Sequence, residues 1–377
     1  MKIYPPSGDI FFYHGKLHFM KHSIFSIFLC FVISGIVDAS EIPHRVANSG
    51  DKESQYLANI KQVTSGFPRA GEGYFSPDGK HIVYQAYPLG YPFYQIYVQK
   101  LGKTPQPPRR ISPGRGRTTC AYFTPDGKKI LFASAHSDPH PEIAELKARK
   151  IAAMGGRRRY QWAFDPHMEI YVSNFDGTGM KRLTDSPGYD AEGNYSSDGK
   201  QIVFTSTRDG DPDIYIMNAD GSNVRQITDV DGYDGGPFFS PDNKWIIFRS
   251  DRHKEHMLQL FAISVDGQNE VQLTHNLNEV NWCPYFHPSG KYIVWASADY
   301  SRGPSGSNFD LFTMETEWTD KTFIGGKITR ITFDKSADVL PVFSHDGKKL
   351  MWTSTRSDGK TSQLWIADWL GHTRKNK

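Results

Sequence analysis

A four-residue turn recurs six times along this chain, each time between the same kinds of β-rich segment. The copies are Ser76-Pro77-Asp78-Gly79, Thr124-Pro125-Asp126-Gly127, Ser197-Asp198-Gly199 within Ser196–Lys200, Ser240-Pro241-Asp242-Asn243, His287-Pro288-Ser289-Gly290 and Ser344-His345-Asp346-Gly347. Their third residues are 48, 72, 44, 47 and 57 positions apart. The clearest unit, Tyr189 to Thr228, reads as four short strands: Ala191–Ser196, Gln201–Thr205, Asp213–Asn218 and Val224–Thr228. Asp-Gly pairs between β-rich runs are hairpin signals, because glycine takes the positive φ that tight turns need. Ile202-Val203-Phe204 is apolar on both faces, so one sheet alone cannot cover this strand. The third strand recurs as Gln95–Val98, Glu169–Val172, Leu260–Ile263, Asp310–Thr313 and Gln363–Ile366; the fourth recurs as Arg110-Ile111-Ser112, Arg182-Leu183-Thr184, Gln272-Leu273-Thr274 and Arg330-Ile331-Thr332. A period in the mid-forties with four strands per unit is that of an all-β, six-bladed β-propeller.

The ends of the repeat set predict how the ring closes. Ile60–Thr64 matches the fourth-strand pattern with no first three strands before it, while the last unit lacks a fourth strand. The N-terminal strand is therefore expected to complete the last blade, removing an exposed sheet edge. Between the second and third strands of blade 2 the repeat is interrupted by an insertion. Pro141 to Met154 reads there as a helix opening with proline and acid and followed by Gly155-Gly156. Ile143, Leu146, Ile151 and Met154 give it an apolar stripe, and Arg157-Arg158-Arg159 with Trp162 follow. This flap is either a partner- or substrate-gripping element or a solvated cap packed on its own blade.

These units resemble the repeats of the TolB-type propeller family, relatives of the WD repeats. The Ser-Pro-Asp-Gly-Lys turn and Asp213-Ile-Tyr-Ile-Met-Asn-Ala-Asp-Gly221 carry the resemblance, which extends over roughly Ile60 to Leu370. The family's namesake carries an α/β domain ahead of its propeller, for which this sequence has no room. The resemblance implies a non-catalytic module that binds a protein or cell-envelope partner, as in the Tol-Pal system. Two alternatives remain: a metal-dependent oligogalacturonate-lyase-like enzyme, whose propeller is related, and a regulatory propeller for a separate peptidase.

Met20-Lys21-His22, the apolar run Ile24–Val37 and the small residues around Ala39 read as a secretory signal, with Met20 as the true start. The expected organisation is a signal peptide over 1–39, a linker over 40–58, the propeller over 59–370 and a basic tail over 371–377. This implies a periplasmic or otherwise secreted protein with no membrane span after cleavage, expected to be monomeric. A formal charge of +3 over 377 residues argues against nucleic acid as partner. Cys120 and Cys283 hold equivalent places on blades 2 and 5, which face each other across a six-bladed ring. Two free, buried thiols are expected rather than a disulfide.

Propellers bind along the axis and across the loops entering each first strand. Seven residues before the turn proline slot stand Ala70, Thr118, Asp190, Asp234, Asn281 and Asp338; five before it stand Glu72, Cys120, Glu192, Gly236, Cys283 and Leu340. Glu72, Asp190, Glu192, Asp234, Asn281 and Asp338 are thus expected at one mouth of the channel. Carboxylates gathered there repel one another unless a cation or basic group joins them. The candidates are Ca²⁺ or another hard cation, a basic segment of a partner, or a water-filled polar channel whose acids bond backbone amides. No other cofactor is expected. Arg208, Arg252 and Arg356 each follow a second strand and read as structural, with Asp213 as a nearby partner. No Gly-x-Ser-x-Gly elbow or His-Glu-x-x-His is present, and no histidine stands at the two channel positions, so no catalytic residue is assigned. His136, His140 and His167, with Asp138 and Asp165, could form a metal site only if the ends of the flap meet.

Overall fold

A computed structural model describes residues 52–102, 106–153, 164–304 and 307–372. The expected signal peptide, Met20, and the flap residues Arg157, Arg158, Arg159 and Trp162 lie outside the described residues. So do the last five residues of the expected tail. Six four-stranded antiparallel sheets form the blades of a propeller. Their first strands are Ala70–Phe75, Thr118–Phe123, Asp190–Tyr195, Asp234–Phe239, Glu279–Phe286 and Asp338–Phe343. No described helix is long and apolar enough to cross a membrane.

Each turn tetrad is a small hydrogen-bonded device. In blade 1, Ser76 Oγ donates to Asp78 Oδ1 (2.7 Å), and Asp78 accepts from the Lys80 amide (3.0 Å). The His81 amide returns to Ser76 Oγ at 2.9 Å. Gly79 takes φ +67°, which a β-carbon would resist. Blade 5 substitutes a histidine: His287 Nδ1 lies 2.7 Å from Ser289 Oγ, so the ring nitrogen replaces the serine hydroxyl.

The second strands are buried on both faces, as Ile202-Val203-Phe204 requires. On three of them Trp245, Trp295 and Trp352 are fully buried. Apolar clusters bridge successive blades, and one joins blades 1, 2 and 6. No blade covers its own faces, so the ring is the smallest unit that removes these side chains from water.

The last blade draws its outer strand from the start of the chain. β1 (Leu57–Gln62) pairs antiparallel with Gln363–Trp369, from Leu57↔Trp369 to Gln62↔Trp365. A hydroxyl repeats the same bond in all six blades. Ser112, Thr184, Thr228, Thr274 and Thr332 each accept from the amide of the second residue of the third strand at 2.8–3.0 Å. In blade 6 the acceptor is Thr64, bound to the Leu364 amide at 2.9 Å. The boundaries differ from expectation at both ends. The stretch read as a linker already contains strand from Leu57 and a 3₁₀ turn over Glu53–Gln55 that buries Glu53. At the other end His372, assigned to the tail, packs against Trp369 and Tyr292.

Candidate functional site: the channel and its mouth

The six residues five places before each turn slot form one ring. Glu72, Cys120, Glu192, Gly236, Cys283 and Leu340 all have φ between +47° and +60°, and all line the central cavity. Each falls within the register shift of its own blade, where the first strand carries one extra residue against the second. Such a bulge resets the alternation of side chains along the strand. Five of the six are not glycine, and a left-handed non-glycine residue costs about 1–3 kcal/mol. Ring closure holds them there. Past the bulge, Tyr74, Tyr122 and Phe238 also face the cavity. Tyr74 and Tyr122 lie 5.0 Å apart edge to face, and the Tyr122 and Tyr285 hydroxyls 3.2 Å apart. These aromatics plug the axis, leaving about 40 Å³.

The ring is charged, and its charge is answered from within. Glu192 accepts from Thr205 Oγ1 (3.0 Å), Tyr233 Oη (3.2 Å), the Gly236 amide and Arg249 Nη2 (3.1 Å). Arg249, on the second strand of blade 4, is itself buried, donates to Tyr233 Oη at 2.7 Å and lies over the Tyr233 ring. A β-carbon at residue 236 would overlap Nη1 of Arg249, so glycine there leaves the guanidinium its space. The basic group that paired acids require is thus Arg249 of the chain itself. Glu72 is left with less support. Burial pushes its carboxyl up to about 7; a hydrogen bond with Cys120 opposes the rise, the Glu192 charge adds to it and Arg249 opposes it. Cys120 and Cys283 are free and buried, and burial raises both thiols.

The residues seven places before the slot go elsewhere. Asp190, Asp234 and Asp338 are buried outside the cavity lining, each against an arginine eighteen residues later in its own blade. Arg208 meets Asp190 at 3.1 Å, Arg252 meets Asp234 at 2.6 Å and Arg356 meets Asp338 at 2.5 Å. Arg356 also holds Glu53 at 2.6 Å. Asn281 accepts from the Trp295 indole at 2.8 Å. The expected acidic mouth therefore reduces to Glu72 and Glu192, because the bulge separates the side chains before it from those after it. Nor is Asp213 the partner of Arg208: it accepts from Thr228 Oγ1 at 2.8 Å, and burial raises its carboxyl to about 8.

At the mouth the insertion forms helix α1 (Pro141–Ala153). It does not pack on its own blade alone but reaches over blade 1. Tyr91 Oη donates to Glu145 Oε1 (2.5 Å) and Arg149 Nη1 to the Gly90 carbonyl (2.8 Å). Between α1 and the blade loops lies a cleft of about 720 Å³, with Tyr87, Phe93, Tyr94, Phe164 and Tyr189 on the side facing the helix. The ends of the flap do meet there: His167 Nε2 lies 3.7 Å from Asp138 and Arg117 Nε 3.3 Å from Asp165. His140 instead turns to Glu142 at 3.3 Å. Among the described residues, the acids, histidines and cysteines close enough to share one ion are Asp209, Asp213 and Asp229, away from both channel and flap.

A six-bladed ring with a plugged axis and an open cleft on one loop face defines a β-propeller. Residues 162–229 and 209–324 match the PD40 family, described as the TolB beta propeller domain. The Tol-Pal system protein TolB of Bordetella pertussis is 51% identical over 45 residues, 12% of this chain and 10% of that protein. The same holds for its counterpart in Bordetella parapertussis, so the match spans about a tenth of these relatives. A structure from Agrobacterium tumefaciens described as TolB superposes with TM-score 0.54 at 18% identity, covering 83% of this chain and 97% of that one. TolB from Acinetobacter baumannii gives 0.50 at 20%, covering 80% and 63%. An oligogalacturonate lyase from Vibrio parahaemolyticus gives 0.50 at 12%, covering 82% and 93%; likeness at such identities is likeness of fold alone. The chain is thus similar to PD40-repeat propellers of the TolB type, in sequence over residues 162–324 and in fold over the ring.

Proposed function

We propose that this protein is a non-catalytic binding propeller of the periplasm or another secreted location, holding a protein of the cell envelope on its channel-mouth face. One observation carries the reading: the charge of Glu192 on the axis is met by Arg249, Tyr233 and Thr205, whereas the cleft at the mouth stands open at about 720 Å³. A plugged axis with internally paired charge offers little to a ligand, while concave, mostly apolar surfaces are where ligands bind. The secretory pattern at Met20–Ala39 and the similarity to Tol-Pal TolB proteins support the location and the class of partner.

The lyase reading shares the fold, but no histidine is among the described residues lining the central cavity. Affinity capture from an envelope extract of the source cells, with the tagged mature chain as bait, separates the two. A single protein retained at near-stoichiometric amount supports binding. No retained protein, together with cleavage of polyuronides when Mn²⁺ or Ca²⁺ is added, would overturn it.

A further inference from the structure

α1 carries a face, apolar but for Lys147, that the fold buries only at Ala148. Ile143, Ala144, Lys147, Ala148 and Ile151 stand at helical spacing and all line the cleft. Although this face looks inward, Ile143 is 64% and Ile151 47% exposed. The helix is fastened along its other edge, by Glu145 to Tyr91 and by Arg149 to Gly90. Across the gap stand aromatic side chains, with Tyr87 and Tyr94 paired at 4.1 Å between ring centres. An aliphatic wall thus faces a largely aromatic one across the cleft.

Resting on the binding role proposed above, we infer that this groove takes an extended segment of the partner protein, about six residues long. That segment would carry alternating apolar side chains and a carboxylate directed at Lys147. Its length follows from the helix. Thirteen residues rise about 20 Å, which about six extended residues span. An extended chain sends alternate side chains to opposite sides, which suits a groove with an aliphatic wall and an aromatic wall.

The charge follows from the lining. Arg117 and Asp165 already pair, as do His167 and Asp138, and among the described residues Lys147 has no acidic partner. A carboxylate on the ligand would complete that lysine. A glycan would find only His140 and Lys147 as polar side chains on the helix wall, and its hydroxyls would gain nothing from Ile143 and Ile151. The groove also reaches Thr118 and Thr119, next to Cys120 of the channel ring, so the segment would lie across the mouth.

The test uses the whole mature chain against phage-displayed random heptapeptides, with synthetic versions of the selected sequences measured by fluorescence anisotropy. Enrichment of sequences with apolar residues two apart plus an aspartate or glutamate is expected. Ile143→Asp should weaken the selected peptides at least tenfold. Lys147→Glu should weaken them severalfold and restore binding when the peptide's acid is changed to lysine. Both positions are exposed, and unchanged melting curves would show that the variants fold. The inference is overturned if no sequence is enriched, or if Ile143→Asp binds the peptides as tightly as wild type. A wild-type dimer that Ile143→Asp dissociates would overturn it as well, because the groove would then hold a second copy. Envelope capture separates the two claims. A partner retained equally by wild type and Ile143→Asp leaves the binding role standing and removes the groove, whereas no retained partner removes the role itself.

Discussion

Arg249 lies buried beside Glu192, and the volume it fills is the volume that a side chain at residue 236 would need. Gly236 is therefore fixed by two demands at once, a φ of +60° and the passage of a guanidinium. Gly236→Ala should lower stability by about 2–4 kcal/mol, from overpacking and left-handed strain together. Chemical denaturation reads this directly, and a loss under about 0.5 kcal/mol, the range of ordinary surface substitutions, would contradict the packing described.

Glu72 allows a pH test. Its folded carboxyl titrates near 7 against an ordinary 4.5, so the folded state binds the proton more tightly than the unfolded chain. Stability is then lost as pH rises from about 4.5 through 7, by up to ~3 kcal/mol at 1.36 kcal/mol per unit. Glu72→Gln, which cannot ionise, should melt close to wild type at pH 5 and clearly above it at pH 8.5. Equal differences at the two pH values would show that Glu72 is not the group under strain.

At the scale of the element, the N-terminal strand carries ring closure through bonds that other blades make with local residues. Thr64 does for blade 6 what Thr228 does for blade 3, yet it lies 300 positions from the amide it serves. Thr64→Val should cost about 2–3 kcal/mol, two buried hydrogen bonds with the Leu364 amide and Gln363 Oε1 both losing a partner. Removing residues 52–64 also takes away Glu53 and leaves Arg356 with Asp338 alone. That truncation should give an unfolded or oligomeric protein by light scattering and calorimetry, and a monomer with an unchanged melting curve would refute closure by β1. The repeating strands were readable in the sequence because turn, second, third and fourth strands recur in the same order. Glu53 was not readable. It sits in a polar stretch without periodicity, and its partner Arg356 is 303 residues away. Likewise Arg208, Arg252 and Arg356 were legible as structural, but their partners were not, since Asp213 is nearer in sequence than Asp190.

For the molecule as a whole, one extra residue per blade decides what faces the axis. Alternation alone puts the residues seven and five places before the turn on the same side, which is why Asp190, Asp234 and Asp338 read as channel acids. The bulge breaks that parity in all six blades, and nothing local in Ala191-Glu192-Gly193 marks it more plainly than in any short strand. The proposed binding then falls to the mouth, where blade loops and α1 enclose the open cleft. Hydrogen exchange of the protein with and without its captured partner tests this most directly. Protection is expected over residues 87–94, 116–119 and 140–151, with the ring around Glu192 unchanged. Protection confined to the turn tetrads at the opposite end of the blades, or to their outer strands, would contradict it.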